Sequence, residues 1–406
     1  MSRGRSRDTT FLAVSSAVNG LLSYVFFAVA TRSLGADTTA PVSVLWTYWS
    51  FAAAALTFPL QHWITHSVTA HGGEGQVRSG LPRMAAVMLG VSAAAGLVAW
   101  LLREPLFRRE DAWFPLLVAL LTFGSAYIGV VRGALAARRR FVGLGWALMG
   151  ENGLRVVGVV GLAMAGVDDP VPYGLVLVAG QLVGLAWPTA VLFSAGVRRR
   201  ATGSPIAFLG GASVGQLLGQ TVLTGAPVLL ALRTGAPAEV TALFAGLAVF
   251  RAPYTLALGV VPQLTGRLTA LATRGEVGAL RRIRNLVAVA VAVMLLPVGL
   301  LAAWLGPPLL RLVFGDDVVL EAPAVVLVAV GSALAVANLV LTVLAMATSR
   351  PGAVVRAWLV GVAAAAVTFL LLDLGELERT SWTFLVAEAV AFLVLLVSAA
   401  RPRARG

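Results

Sequence analysis

The chain has 406 residues, 59% of them hydrophobic and only 12% charged, with a formal net charge of +13 and no cysteine. A soluble domain carries about a quarter charged residues, and no stretch outside the apolar runs is long enough to form one. Disulfides, thiolate chemistry and Cys metal sites are excluded. All 31 basic residues are Arg.

Apolar runs of about eighteen residues or more recur from end to end, each long enough to cross a ~30 Å hydrocarbon core. Lipid offers backbone groups no partners, so these runs are expected to be helical. In chain order, the predicted spans lie near 11–31, 42–61, 84–102, 113–131, 144–165, 173–195, 206–232, 240–262, 286–305, 321–347, 354–372 and 381–400. The first begins after Arg3, Arg5 and Arg7 and passes Ala28, Val29 and Ala30, a signal-peptide pattern. The run is long for a signal core and more spans follow it, so it is taken as a span.

An even number of spans puts both termini on one side, and Arg bias chooses that side. Seven Arg fall in the loops opposite the termini (Arg32, Arg103, Arg108, Arg109, Arg233, Arg311, Arg379), and two, Arg155 and Arg251, fall within spans. The other 22 of the 31 are on the side of the termini, which is therefore expected to be cytoplasmic. The chain reads as a multi-pass protein of the inner (cytoplasmic) membrane, with anionic lipid as a partner of the basic face. Those Arg clusters are short loops between spans, which argues against nucleic acid.

The halves echo one another. Arg32-Ser33-Leu34-Gly35-Ala36-Asp37 follows the first span, and Arg233-Thr234-Gly235-Ala236-Pro237-Ala238-Glu239 the seventh. Gly124-Ser125-Ala126 in the fourth span is matched by Gly331-Ser332-Ala333 in the tenth. Matching spans are six apart and run in the same direction. The predicted fold is all-α and membrane-integral, with about twelve helices in two six-helix lobes, 1–200 and 201–406, related by a pseudo-twofold along the membrane normal. The joining loop is short and basic, near Arg198 to Pro205.

Ionisable groups inside a bilayer are costly and point to function by default. Glu151 and Arg155, four apart in the fifth span, share a face and can pair. Arg251 lies mid-span, two residues before Pro253, which kinks a helix; its planar fork suits phosphate oxygens or a partner acid such as Glu388. Glu388, in the last span, is the candidate for carrying a coupling proton. Softer polar groups are Asn19, Gln181, Gln216, Gln220 and Asn338. Gln216 and Gln220 share a face beside Gly211, Gly215 and Gly219, glycines that permit close helix approach. His62 and His66 are also four apart, but no Glu lies between them, so the metalloprotease pattern fails. No metal or cofactor site and no phosphate loop is expected, and no ATP-driven engine.

Several segments resemble a known family. Ala30-Thr31-Arg32-Ser33-Leu34-Gly35 is similar to its first external turn. Val131-Arg132-Gly133-Ala134-Leu135, Arg138-Arg139-Arg140-Phe141 and Glu151-Asn152-Gly153-Leu154-Arg155 are similar to its "RG…L…RF…E…R" stretch. Leu310-Arg311-Leu312-Val313-Phe314-Gly315 is similar to its "L…LFG" turn. The family is that of the polysaccharide-lipid flippases, in the superfamily that also holds lipid II flippases and multidrug and toxin extruders. The resemblance implies alternating access, no enzymatic reaction, and export of an undecaprenyl-diphosphate-linked oligosaccharide for surface polysaccharide synthesis. Glycan polymerases or glycosyltransferases are implied as partners, and nothing demands more than a monomer. The head group would meet Arg251 and Arg155, with Glu151, Gln216, Gln220 and Asn19 lining the path. The lipid II branch has fourteen spans and several embedded Arg in its first two; this chain has room for twelve and offers Asn19 and His62 there. The alternative is a cation-coupled multidrug antiporter of the same superfamily, with Glu388 or Glu151 as the coupling carboxylate. A membrane polymerase would carry a large external loop that is missing here, and a scaffold would leave the duplication unexplained.

Overall fold

The computed structural model describes residues 2–71, 74–194, 218–233, 235–348 and 350–398. Two compact units form, Met1–Leu217 and Leu218–Gly406. Among the described residues there is no strand. The expected join near Arg198 to Pro205 lies outside the described residues, as does Gln216.

In the first unit, α1 (Ser2–Ala52) holds the first span and most of the second. The two part at Gly35, whose φ of 75° and ψ of 168° break the helix. An L side chain there would be strained, which is why the turn ends in glycine. A π-helical turn, Ala53–Thr57, leads into α2 (Phe58–His71). Thr57 donates its hydroxyl to the Ser125 carbonyl at 2.8 Å. Gly129 makes this approach possible, because a Cβ there would lie 2.9 Å from the Thr57 backbone.

Next come α3 (Gly75–Leu101), a short α4 (Arg103–Phe107), α5 (Trp113–Ala137) and α6 (Phe141–Met164). Asp169 caps α7 (Pro170–Ala179), accepting from the Val171 amide at 3.1 Å. The sixth span then tightens into two 3-10 segments, Gly180–Ala186 and Pro188–Val191. Here the sequence expectation of one continuous helix to 195 differs from the structure. Pro188 supplies no amide donor, and the chain breaks at Trp187 before it.

The second unit holds helical residues 218–224, then α8 (Ala226–Leu232), α9 (Pro237–Phe250) and α10 (Ala252–Thr273). The break at Arg251 comes two residues before Pro253. It is followed by α11 (Val277–Phe314), α12 (Ala322–Ala347), α13 (Pro351–Leu371) and α14 (Glu376–Ser398). Gly315, with φ 106°, ends α11 as Gly35 ends the first span.

Among the described residues eight helices are long and apolar enough to cross a membrane, the first of them, Val14–Thr65, long enough to do so twice about Gly35. The shorter Pro170–Ala186 and Pro237–Phe250 account for two more positions. With the partly described seventh, the chain is an all-α membrane protein of about twelve spans.

Burial follows the duplication. In the fourth span, α5, 61% of the apolar window is buried, and in the tenth, α12, 67%. The third and ninth, α3 and α11, bury 22% and 6%. Each unit thus has its fourth span at the centre and its third at the rim, where apolar side chains face lipid. Around α5 the core includes Leu60, Ile64, Val131, Leu135 and Leu144, all nearly inaccessible.

Candidate functional site

The polar chemistry falls in two places, one inside each unit. In the first, α6 carries Glu151, Asn152 and Arg155 on one face. Glu151 and Arg155 pair at 2.7 Å, as their i, i+4 spacing predicts. A third charged group joins them: Arg132 of α5 reaches the other Glu151 oxygen at 2.5 Å. Sequence reasoning put Arg132 in the loop after the fourth span. Helix α5 in fact runs six residues past 131, to Ala137, and Arg132 is only 6% exposed.

Arg155 is fully buried and all its nitrogens are bonded. Nε donates to the Leu177 carbonyl at 2.8 Å, Nη1 to Asn152 at 2.7 Å and Nη2 to Glu151. The Trp49 ring lies 4.6 Å from its guanidinium carbon, and Trp46 lies 5.9 Å away. Gly180 makes room, since a side chain there would collide with the guanidinium. Asn152 extends the network by donating to Asn19, to its side-chain oxygen at 3.0 Å and its carbonyl at 3.1 Å. Trp49 also lies close enough to act on the Glu151 carboxylate.

So Asn19, Glu151 and Arg155 come together, with Arg132, Asn152 and Trp49 added. Two of the motif segments, the one holding Arg132 and the one from Glu151 to Arg155, converge because α5 and α6 form a helical hairpin. Spacing within one helix made the Glu151–Arg155 pair legible. The third partner lies 19 residues away, where no helical period points to it.

In the second unit, Glu388 of α14 is fully buried. Its Oε2 accepts from Asn338 of α12 at 2.7 Å, and the same amide reaches the Glu388 carbonyl at 2.9 Å. Among the described residues Glu388 Oε1 and Asn338 Oδ1 have no hydrogen-bond partner. Arg251 and Tyr254 are close enough to act on this region electrostatically. Arg251 is half-buried at the α9–α10 break, donating to the carbonyls of Leu247 at 3.0 Å and Leu223 at 2.7 Å. Gln220 donates to Thr224 at 3.3 Å within its own helix. Among the described residues no group of His, Asp or Glu could hold a metal.

Outside the spans, a third polar group closes one end of the first unit. Glu74, at the start of α3, takes Arg138 in two bonds of 2.7 and 3.2 Å. Arg138 also donates to the carbonyls of Thr189 and Leu192, and the Ser194 amide donates to Glu74 at 2.8 Å. The hydrogen bonds from Arg138, then those from Ser194, hold the Glu74 carboxyl below its ordinary value of 4.5 against partial desolvation. This clamp secures the irregular end of the sixth span.

No protein-family model matches the sequence, and no curated protein matches it. Solved structures do. An inward-facing multidrug resistance MATE family transporter of the MOP superfamily superposes with a TM-score of 0.68 at 15% identity, over 94% of this chain and 93% of that one. An outward-facing transporter of that description gives 0.59 at 16% identity, over 97% and 94%. A MATE transporter from Vibrio cholerae gives 0.59 at 16%, over 97% and 96%. At such identity the likeness is one of fold: the chain has the fold of MOP-superfamily transporters along nearly its whole length.

Proposed function

We propose that the protein is a secondary exporter, moving an amphipathic small molecule across the membrane in exchange for protons, with Glu388 as the coupling carboxylate. The observation that carries this reading is a fully buried carboxyl group with one oxygen unmet beside Asn338. A buried carboxylate is costly unless paired or protonated, and a proton asks only for the one free oxygen that Glu388 offers. The multidrug transporters of similar fold support a small-molecule cargo. Loading and release of the proton would accompany exposure of Glu388 to one side and then the other.

The test is efflux of a fluorescent amphipathic cation from proteoliposomes driven by an imposed pH gradient. Wild type should transport and Glu388→Gln should not respond to the gradient, while still binding the dye. An unaltered gradient response in Glu388→Gln would remove that residue from coupling, and no transport by folded wild type would remove the reading.

A second reading is export of a lipid-linked oligosaccharide diphosphate, with Arg251 meeting the head group and the prenyl tail left in lipid. It is favoured by the convergence of the flippase-like Arg132 and Glu151-to-Arg155 segments on one buried site. An inside-negative potential would assist it by about 2.3 kcal/mol per negative charge per 100 mV. Flipping of a fluorescent undecaprenyl-diphosphate oligosaccharide, dependent on Arg251 and enhanced by the potential, would select it.

A further inference from the structure

The cluster in the first unit carries more positive charge than negative. Glu151 supplies one negative charge and accepts from both Arg132 and Arg155. Arg155 has every nitrogen bonded and a Trp ring over it. Arg132 does not. Its Nη2 alone is engaged, on Glu151 and, at 3.4 Å, on the Ala147 carbonyl. Its Nε is buried and has no hydrogen-bond partner among the described residues. The residue is 94% buried, in a helix apolar enough to cross a membrane. An uncompensated, incompletely bonded cation in such a place is unfavourable.

We propose that Arg132 is the protein's half of an anion site: it binds a single oxyanion, carboxylate or phosphate, that brings the cluster to neutrality. The guanidinium selects for this chemistry because its N–H groups diverge in one plane and match paired oxygens, which a spherical halide does not offer. The charge left over is one, so one carboxylate, or one phosphate group in its singly charged form, brings the cluster to neutrality. The oxyanion can come from solution or from the head of an acidic amphiphile. The site stands independently of the transport reading, and its test reads binding.

The measurement is thermal unfolding of the full chain in a neutral detergent, followed by Trp fluorescence. Inorganic phosphate and dodecyl phosphate are titrated separately at ionic strength fixed with chloride, with dodecanol as the uncharged control. Wild type should show a saturable rise in midpoint of about several degrees with one of the two. A response to phosphate alone identifies a solution ion; a response to dodecyl phosphate but not dodecanol identifies an amphiphile head. Arg132→Gln makes the cluster neutral and should abolish the response, and its ligand-free midpoint should be no lower than that of wild type. Glu151→Gln raises the cluster by a further charge and should respond at about tenfold lower concentration. Should Arg132→Gln not fold, Arg132→Lys, which keeps the charge without the fork, must weaken binding about tenfold. The proposal fails if folded wild type shows no saturable response to either oxyanion, or if chloride alone reproduces it. It also fails if Arg132→Gln responds as wild type does, or if Glu151→Gln responds less.

Discussion

The two units fill the same notch with opposite chemistry. In the first, Gly124 and Ser125 of α5 face Gln181 of the sixth span; a Cβ on Gly124 would overlap the Gln181 side chain. Gln181 donates to the Ser125 hydroxyl at 2.8 Å and the Leu121 carbonyl at 3.0 Å. In the second unit, Gly331 of α12 faces Phe384 of the twelfth span, and a Cβ on Gly331 would lie 2.5 Å from that ring. Ser332 Oγ is buried without a hydrogen bond. The duplication retains the small pair that lets the central helix be approached, while the filler differs. The buried charges differ in the same way. The first unit holds a carboxylate with both oxygens engaged between two guanidinium groups, and the second a carboxylate with one oxygen open. A network with every carboxylate oxygen bonded rigidifies; an incompletely satisfied one is where a proton can arrive or leave.

The largest expected effect tests that contrast of charge. Arg155→Ala leaves Glu151 Oε1 and Asn152 Oδ1 unmet in the core, with Glu151 held by Arg132 alone, and should cost about 3–5 kcal/mol, read as a fall in unfolding midpoint in detergent. Glu388→Gln keeps an acceptor for Asn338 and can offer a donor to Asn338 Oδ1. It should change stability by less than about 1 kcal/mol while removing the response of transport to a pH gradient. Equal stability losses in the two variants would end the distinction between a structural and a working carboxylate.

The notch gives the next pair. Phe384→Ala empties an apolar site and should cost about 3–5 kcal/mol. Gln181→Ala removes two hydrogen bonds and less apolar volume, and should cost about 1–3 kcal/mol, part of it from the Ser125 hydroxyl left without its donor. If the order reverses, the polar filler is the stronger of the two and the first unit depends on it.

These contrasts were only partly legible in the sequence. Turns at Gly35 and Gly315 were expected from the family resemblance, and the structure gives their physical reason, a glycine with positive φ at each. The Glu151–Arg155 pair could be read because helical spacing puts both on one face. Arg132 was misplaced because an apolar run was taken to stop at its first charge, whereas a buried partner lets a helix carry Arg further inward. The Asn338–Glu388 contact spans 50 residues and depends on how α12 and α14 pack. No local period encodes that, nor which residue fills a notch opposite glycine. The tightening of the sixth span after Ala179 was also missed, because an apolar window carries no sign of helix type.

The smallest effect sharpens a second comparison, between two Arg–Glu sites of the same unit. The side chains of Arg132, Glu151 and Arg155 keep at most 8% of their exposure, whereas those of Glu74 and Arg138 keep 16% and 22%. Glu74→Gln should therefore cost only about 1 kcal/mol at neutral pH. The pH dependence fixes the sign. Arg138 holds the Glu74 carboxyl below its ordinary 4.5 in the folded chain. The clamp's contribution is thus fully present above that value and is lost as pH falls from there through the lowered folded value. Unfolding midpoints of wild type and Glu74→Gln should differ by a constant amount at neutral pH and converge under acid. A gap that persists with Glu74 protonated would mean that the clamp acts through neutral hydrogen bonds to Ser194. A gap that closes would assign its strength to the Arg138 charge, and would mark the end of the sixth span as the part of this unit that acid loosens first.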